Sequence, residues 1–154
     1  MEKSELHKFH RKCAVDLFNK VWDLIEKEDR NADEELEMIH AAHTSRHHWG
    51  IIGEPVNFAR GEWQISRVYA ILNVTDRAHY HAQQSLDYCL ENNIGDFDLA
   101  YAYEALARAA FVGGHLDKYK EYIELAMDAN EAIKGEKDKE IFEMDLKSLT
   151  AATS

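Results

Sequence analysis

Residues 94–114 read IGDFDLAYAYEALARAAFVGG, and this stretch carries both ends of one helix in plain view. Asp96 is a natural N-cap, the pair Gly113-Gly114 stops the run, and Leu99, Ala102, Tyr103, Leu106, Ala107 and Ala110 recur at three- and four-residue steps between them. Small side chains dominate that stripe. A neighbouring helix can therefore approach closely along it, so the segment predicts a helix packed inside an all-helical fold.

The same punctuation extends in both directions. Upstream, Ser4 can cap a first helix whose apolar face is Leu6, Phe9, Cys13, Leu17, Val21, Leu24 and Ile25, ending near Lys27. A second helix is expected over 33–49, stopping before Gly50 and Gly53. Pro55 fits the first turn of a third helix that runs to Leu72, and Thr75 or Asp76 can cap a fourth that ends at Asn92-Asn93-Ile94-Gly95. Downstream, a sixth helix is expected over 115–133 and a last amphipathic one over 139–149, with Ile141, Phe142, Asp145 and Leu149 at helical spacing. Residues 151–154 are expected to fray.

Composition agrees. With 154 residues, one proline and seven glycines, the chain fits one domain over 1–150, large enough to bury a core without disulfides. Short connections make successive helices antiparallel neighbours, so the fold class is all-α, about seven antiparallel helices paired as αα-hairpins. Net charge is −11, which repels phosphate backbones and anionic membrane surfaces, so neither nucleic acid nor a membrane is an expected partner. Cys13 and Cys89 lack C-x-x-C spacing, and the start MEKSELHKFHRKC has no apolar h-region. A reduced, cytoplasmic setting is the expectation.

Helices three to six also carry an internal repeat. Ile65-Ser66, Tyr69, Ala78, Ala82 and Ser85 recur as Leu106-Ala107, Ala110, Gly114, Tyr119, Ile123 and Ala126. This pattern resembles the tetratricopeptide (TPR) repeat, with Tyr103 at the leading aromatic position, Leu106 and Ala107 as the following pair, and Ala126 as the small residue late in the second helix. Ser66 to Ala107 spans 41 residues, about two helical turns more than the usual ~34. The block 40–108, with HTSRHHW, NFARGEWQISRVYA and IGDFDLAYAYEALARA, is similar to small bacterial TPR-like proteins of unknown activity. The resemblance implies a right-handed superhelical array of hairpins with a C-terminal capping helix, used for protein binding.

Candidate chemistry concentrates in 38–63, which holds four of nine histidines, two arginines, two of three tryptophans and the only proline. His40, His43 and His47 share one helix face, and the spacing of His43 and His47 is that of helical zinc ligands. Glu62, His79, His81, Asp98 and Glu104 are candidates to complete such a shell. Two catalytic patterns are missing: Thr44 follows His43 where H-E-x-x-H needs glutamate, and Glu37/His40 is an E-x-x-H pair without a second copy.

Residues 39–75 hold three arginines and two glutamates, a formal +1 against −12 for the remainder. Arg60, Trp63 and Arg67 lie on one face of helix three. With Arg46 and His43 they form a candidate receptor for a carboxylate or peptide end, unless these arginines are neutralised by Glu62 and Glu104 in interhelix ion pairs and Trp63 fills the core. Tyr101, Tyr103, Phe97 and Phe111 read as core aromatics, and Cys89 as buried rather than nucleophilic. The expected function is a TPR-like interaction module that binds a peptide or anionic ligand, without a cofactor and without enzymatic activity. A zinc-type metal site on His40, His43 and His47, with Glu62 or Glu104, is the alternative, and a homodimer through a hairpin face a third reading.

Overall fold

The computed structural model describes residues 2–151 and contains seven α-helices and, among the described residues, no strand. They are α1 (Lys3–Glu26), α2 (Ala32–Ile52), α3 (Pro55–Ile71), α4 (Thr75–Glu91), α5 (Asp96–Val112), α6 (Leu116–Asn130) and α7 (Glu136–Ala151). Connections of two to five residues fold each helix back on the one before it. Among the described residues no helix is long and apolar enough to cross a membrane.

The turns are set by local chemistry. Asn73, Asn93 and Gly114 take positive φ of 62°, 54° and 75°, a conformation that glycine and asparagine tolerate best. Each is followed by an amide that reaches back five residues: Val74 to the Tyr69 carbonyl, Ile94 to Cys89 and His115 to Ala110, all at 2.9 Å. These bonds close the last turns of α3, α4 and α5 in the same way, satisfying carbonyls that a helix end leaves orphaned. At the other ends, Asn31 accepts the Glu34 amide at 2.8 Å while Glu34 accepts the Asn31 amide at 3.2 Å, and Pro55 opens α3 behind Glu54.

Packing follows a simple rule. Consecutive helices pair along the chain, and the odd-numbered helices also lie side by side, α1 on α3, α3 on α5 and α5 on α7. Among the described residues the backbones of α2, α4 and α6 do not approach one another, and α2 meets α4 through side chains, Arg46 with Tyr88 and His43 with His81. The core is accordingly segmented: Val21, Met38, Ile65 and Val68 fill the space among α1, α2 and α3, Ala59, Ala82, Leu86, Ala102 and Leu106 that among α3, α4 and α5, and Ala100, Ala126, Phe142 and Leu146 that among α5, α6 and α7. Small residues let the backbones approach within each hairpin. Buried Ser45 donates to the Ala14 carbonyl at 2.6 Å, Ser66 to Ala78 at 2.7 Å and Ser85 to Ala59 at 2.8 Å, so each hydroxyl is satisfied by the partner helix.

Several boundaries differ from the sequence expectation. The first cap is Glu2, which exchanges bonds with Glu5, instead of Ser4. α2 continues through Gly50 to Ile52, because the stop is supplied by Gly53 and by Pro55 beyond it. α4 starts after Val74, and neither Thr75 nor Asp76 caps it by side chain. Asp96 has φ 55° and belongs to α5, with Gly95 before it; its carboxylate accepts the Phe97 amide at 2.7 Å and the Lys134 amide at 3.3 Å. α6 ends at Asn130, leaving Ile133 buried in the following turn against Phe142 and Leu146. α7 is longer than expected at both ends and includes Ala151; the rest of the expected frayed tail, 152–154, lies outside the described residues.

Candidate functional site

Because α1, α3, α5 and α7 stand side by side, one face of each contributes to a shared groove. Each offers two residues four apart, one helical turn: Phe18 and Trp22, Ala59 and Trp63, Phe97 and Tyr101, Ile141 and Asp145. Together with Arg60, Ser85 and Asp98 they line a cavity of about 480 Å³, within the usual range for ligand pockets.

Aromatic rings run across the groove as a ladder. Phe18 meets Trp22 edge-on at 6.4 Å between centroids, Trp22 meets Trp63 at 5.5 Å, Trp63 meets Tyr101 at 5.2 Å, and Tyr101 meets buried Phe142 at 4.9 Å. Such offset and edge-to-face geometries are those aromatic quadrupoles favour. Two cations already use the ring faces. The Arg60 guanidinium lies 5.1 Å from the Phe97 centroid and that of Arg67 5.3 Å from Trp63.

Polar groups in the groove are mostly committed. Arg60 grips Asp98 with two bonds, Nε at 2.9 Å and a terminal nitrogen at 3.0 Å, and this bond is the main reason its pKa rises. Tyr101 donates its hydroxyl to Asp145 at 2.7 Å; burial first, and then this bond, push the phenol well above its ordinary value, so it stays protonated. Among the described residues no lysine or arginine pairs with Asp145. Cys89, behind the groove wall and 1% exposed, has its thiol pushed up to about 12 by burial, with the Asp98 charge adding to it, which leaves it protonated and inert.

The receptor set expected from sequence is divided by the fold. Arg60 and Trp63 line the groove, and Arg67 lies over Trp63 while reaching Glu104 at 3.4 Å. Glu104 is fully buried and also holds Arg108 at 2.9 and 2.5 Å. Arg46 stacks on Phe58 at 4.6 Å, donates to the Tyr88 hydroxyl at 3.1 Å and stands 3.7 Å from Glu62. The positive excess counted along 39–75 is thus offset in space, because α5 brings Asp98 and Glu104 to Arg60 and Arg67.

His43 lies apart from Trp63: it projects from α2 and meets α3 at Tyr69. Its Nε2 is 2.8 Å from the Tyr69 hydroxyl and its ring 5.4 Å from that of His81, which stacks on Tyr69 and bonds Glu62 at 2.9 Å. Burial first, then the nearby His81, lower the His43 pKa. The other members of the expected metal face do not join it in a shell. His40 and His47 are exposed, His47 rests against His48, and His48 pairs with His10 at 2.9 Å. Glu62 and Glu104 are taken up by ion pairs, Asp98 by Arg60, and His79 is exposed beside Asp76 and His115. Among the described residues no three His, Cys, Asp or Glu side chains converge to hold a metal ion.

Sequence reasoning did not assign Phe18, Trp22, Ile141 and Asp145 to a site, and it took Phe97 and Tyr101 for core, which both do pack against while also lining the groove. The signal that could have found them is the four-residue pair repeated on each odd helix. Comparisons of this chain with protein-family models, with curated proteins and with solved structures return no match.

Proposed function

We propose that this protein is a TPR-like binding module that receives a peptide segment of a protein partner in the groove of α1, α3, α5 and α7. One observation carries the reading: all four odd helices contribute side chains to one cavity of about 480 Å³, and five of its eleven lining residues are aromatic. Rigid aromatic surfaces give large contact area at low conformational cost, the property that makes such residues anchor points for partners. The arginines expected to take a carboxylate already hold carboxylates of this chain, so apolar contact rather than anion capture supplies the affinity.

Selection from a random peptide library on the intact protein tests this. Peptides should be enriched by the native protein and lost on Ile141→Arg, which places charge in the groove at a side chain already 47% exposed and so leaves folding intact. No enrichment, or enrichment that the substitution leaves unchanged, would reject the reading.

A further inference from the structure

We infer that the groove selects a ligand bearing an organic ammonium group, a deepening that rests on the groove being the binding surface. Three observations converge on that charge. The ladder presents Trp22, Trp63 and Tyr101, whose π faces are electron-rich, and the fold itself already seats one guanidinium group on an aromatic ring of the lining, Arg60 on Phe97, while Arg67, outside the lining and paired with Glu104, lies over Trp63. Of the ionic residues lining the cavity, Arg60 and Asp98 cancel in a two-bond pair, leaving Asp145 with only a neutral phenol donor. The net formal charge of the lining is therefore −1.

Apart from the Trp63 indole N–H, which is buried without a partner, an anion would find little to bind. Arg60 directs its Nε and one terminal nitrogen to Asp98, and the Tyr101 proton is given to Asp145. The chain's −11 adds a long-range field of the same sign, which draws cations toward the cavity. Aromatic walls closed by one uncompensated carboxylate are the arrangement by which proteins hold substituted ammonium groups. Such a group can reach the groove on a lysine side chain of a peptide or as a free amine.

The test uses three probes of nearly one shape: choline, its uncharged carbon analogue neohexanol, and the tert-butylacetate anion. Binding is read from the indole N–H signals of the 154-residue chain by NMR, with Trp49, which faces Arg11 and lines an adjoining cavity behind Phe18 and Arg60 rather than the groove, as internal control. Choline should shift Trp22 and Trp63 but not Trp49, and should bind at least about tenfold more tightly than neohexanol. Asp145→Asn, which keeps an acceptor for Tyr101, should bring choline down to the level of neohexanol and leave neohexanol unchanged. A leucine-rich peptide with one central lysine, compared with its norleucine counterpart and with choline, identifies the source: tighter binding of the lysine peptide points to a chain, tighter binding of choline to a free amine.

Equal binding of choline and neohexanol, or of the lysine and norleucine peptides, would overturn the charge preference while leaving an apolar groove in place. Tighter binding of tert-butylacetate would overturn it in favour of an anion. No shift from any probe or peptide would remove the groove itself as a binding surface.

Discussion

Replacing Glu104 by glutamine should destabilise the protein far more than a change of one heavy atom suggests. The carboxylate has no solvent exposure, and its two arginines, Arg67 and Arg108, keep only 13% and 20% of their side-chain exposure. Glutamine preserves volume and one acceptor but removes the charge that both guanidinium groups face, and it turns an N–H₂ donor toward one of them. Removing one partner of a buried pair costs about 3–5 kcal/mol because the other charge stays desolvated. The residual exposure of the arginines puts the expectation near the lower end, about 3 kcal/mol. For a chain of this size that corresponds to a fall in Tm of roughly 6–12 °C. Urea denaturation gives the comparison directly, with the midpoint shifted and the m-value unchanged. A companion variant with Arg67, Glu104 and Arg108 all changed to methionine should recover most of the loss, since an apolar trio of similar length leaves no unpaired charge. A loss below about 1 kcal/mol on Glu104→Gln would refute the reasoning, as it would place this residue among ordinary surface pairs.

His43 has a folded pKa below its unfolded value, so the unfolded state binds the extra proton; stability should be full above about pH 6.5 and fall as pH drops through the unfolded value toward the folded one. His43→Gln should flatten that slope in urea titrations at a series of pH values, and an unchanged slope would assign it elsewhere. A thiol reagent applied to the native protein should modify Cys13, which is partly exposed, and spare Cys89 until denaturant is added; two fast thiols in the native state would contradict the burial of Cys89. Gly61→Ala would put a methyl 2.8 Å from Arg46 Cδ and 3.3 Å from its Cβ. Overpacking of about 1–3 kcal/mol set against a helix gain of about 1 kcal/mol predicts a net loss, which Arg46→Ala should relieve in the double variant. Higher stability of Gly61→Ala alone in the urea assay would count against the tight passage of Arg46 over α3.

The architecture was legible in the sequence because its punctuation is local. Asn73, Asn93 and Gly114 end helices through the backbone amide of the next residue, and Pro55 starts one, so nothing distant is needed to place them. Gly50 was misleading for the converse reason: a glycine within a helix costs only about 1 kcal/mol, which the tertiary packing of α2 overrides. The candidate site was less legible. Counting charge along residues 39–75 could not include Asp98 and Glu104, which arrive from α5 and neutralise Arg60 and Arg67. Phe97 and Tyr101 are spaced like core residues, and periodicity alone cannot separate a face turned to another helix from one turned to a groove. Trp22 and Asp145 lie 123 positions apart, and only the stacking of the odd helices brings them to one cavity.

That ladder of rings has a mechanical meaning as well. In a stack where each hairpin leans only on its neighbours, the two ends can open independently of the middle, and cooperativity is correspondingly local. A guest lying along Phe18, Trp22, Trp63, Tyr101 and Ile141 would touch the first odd helix and the last at once. It would act as a crossbar, so that fraying at either end has to release it, and seven loosely chained rods would open and close as one body.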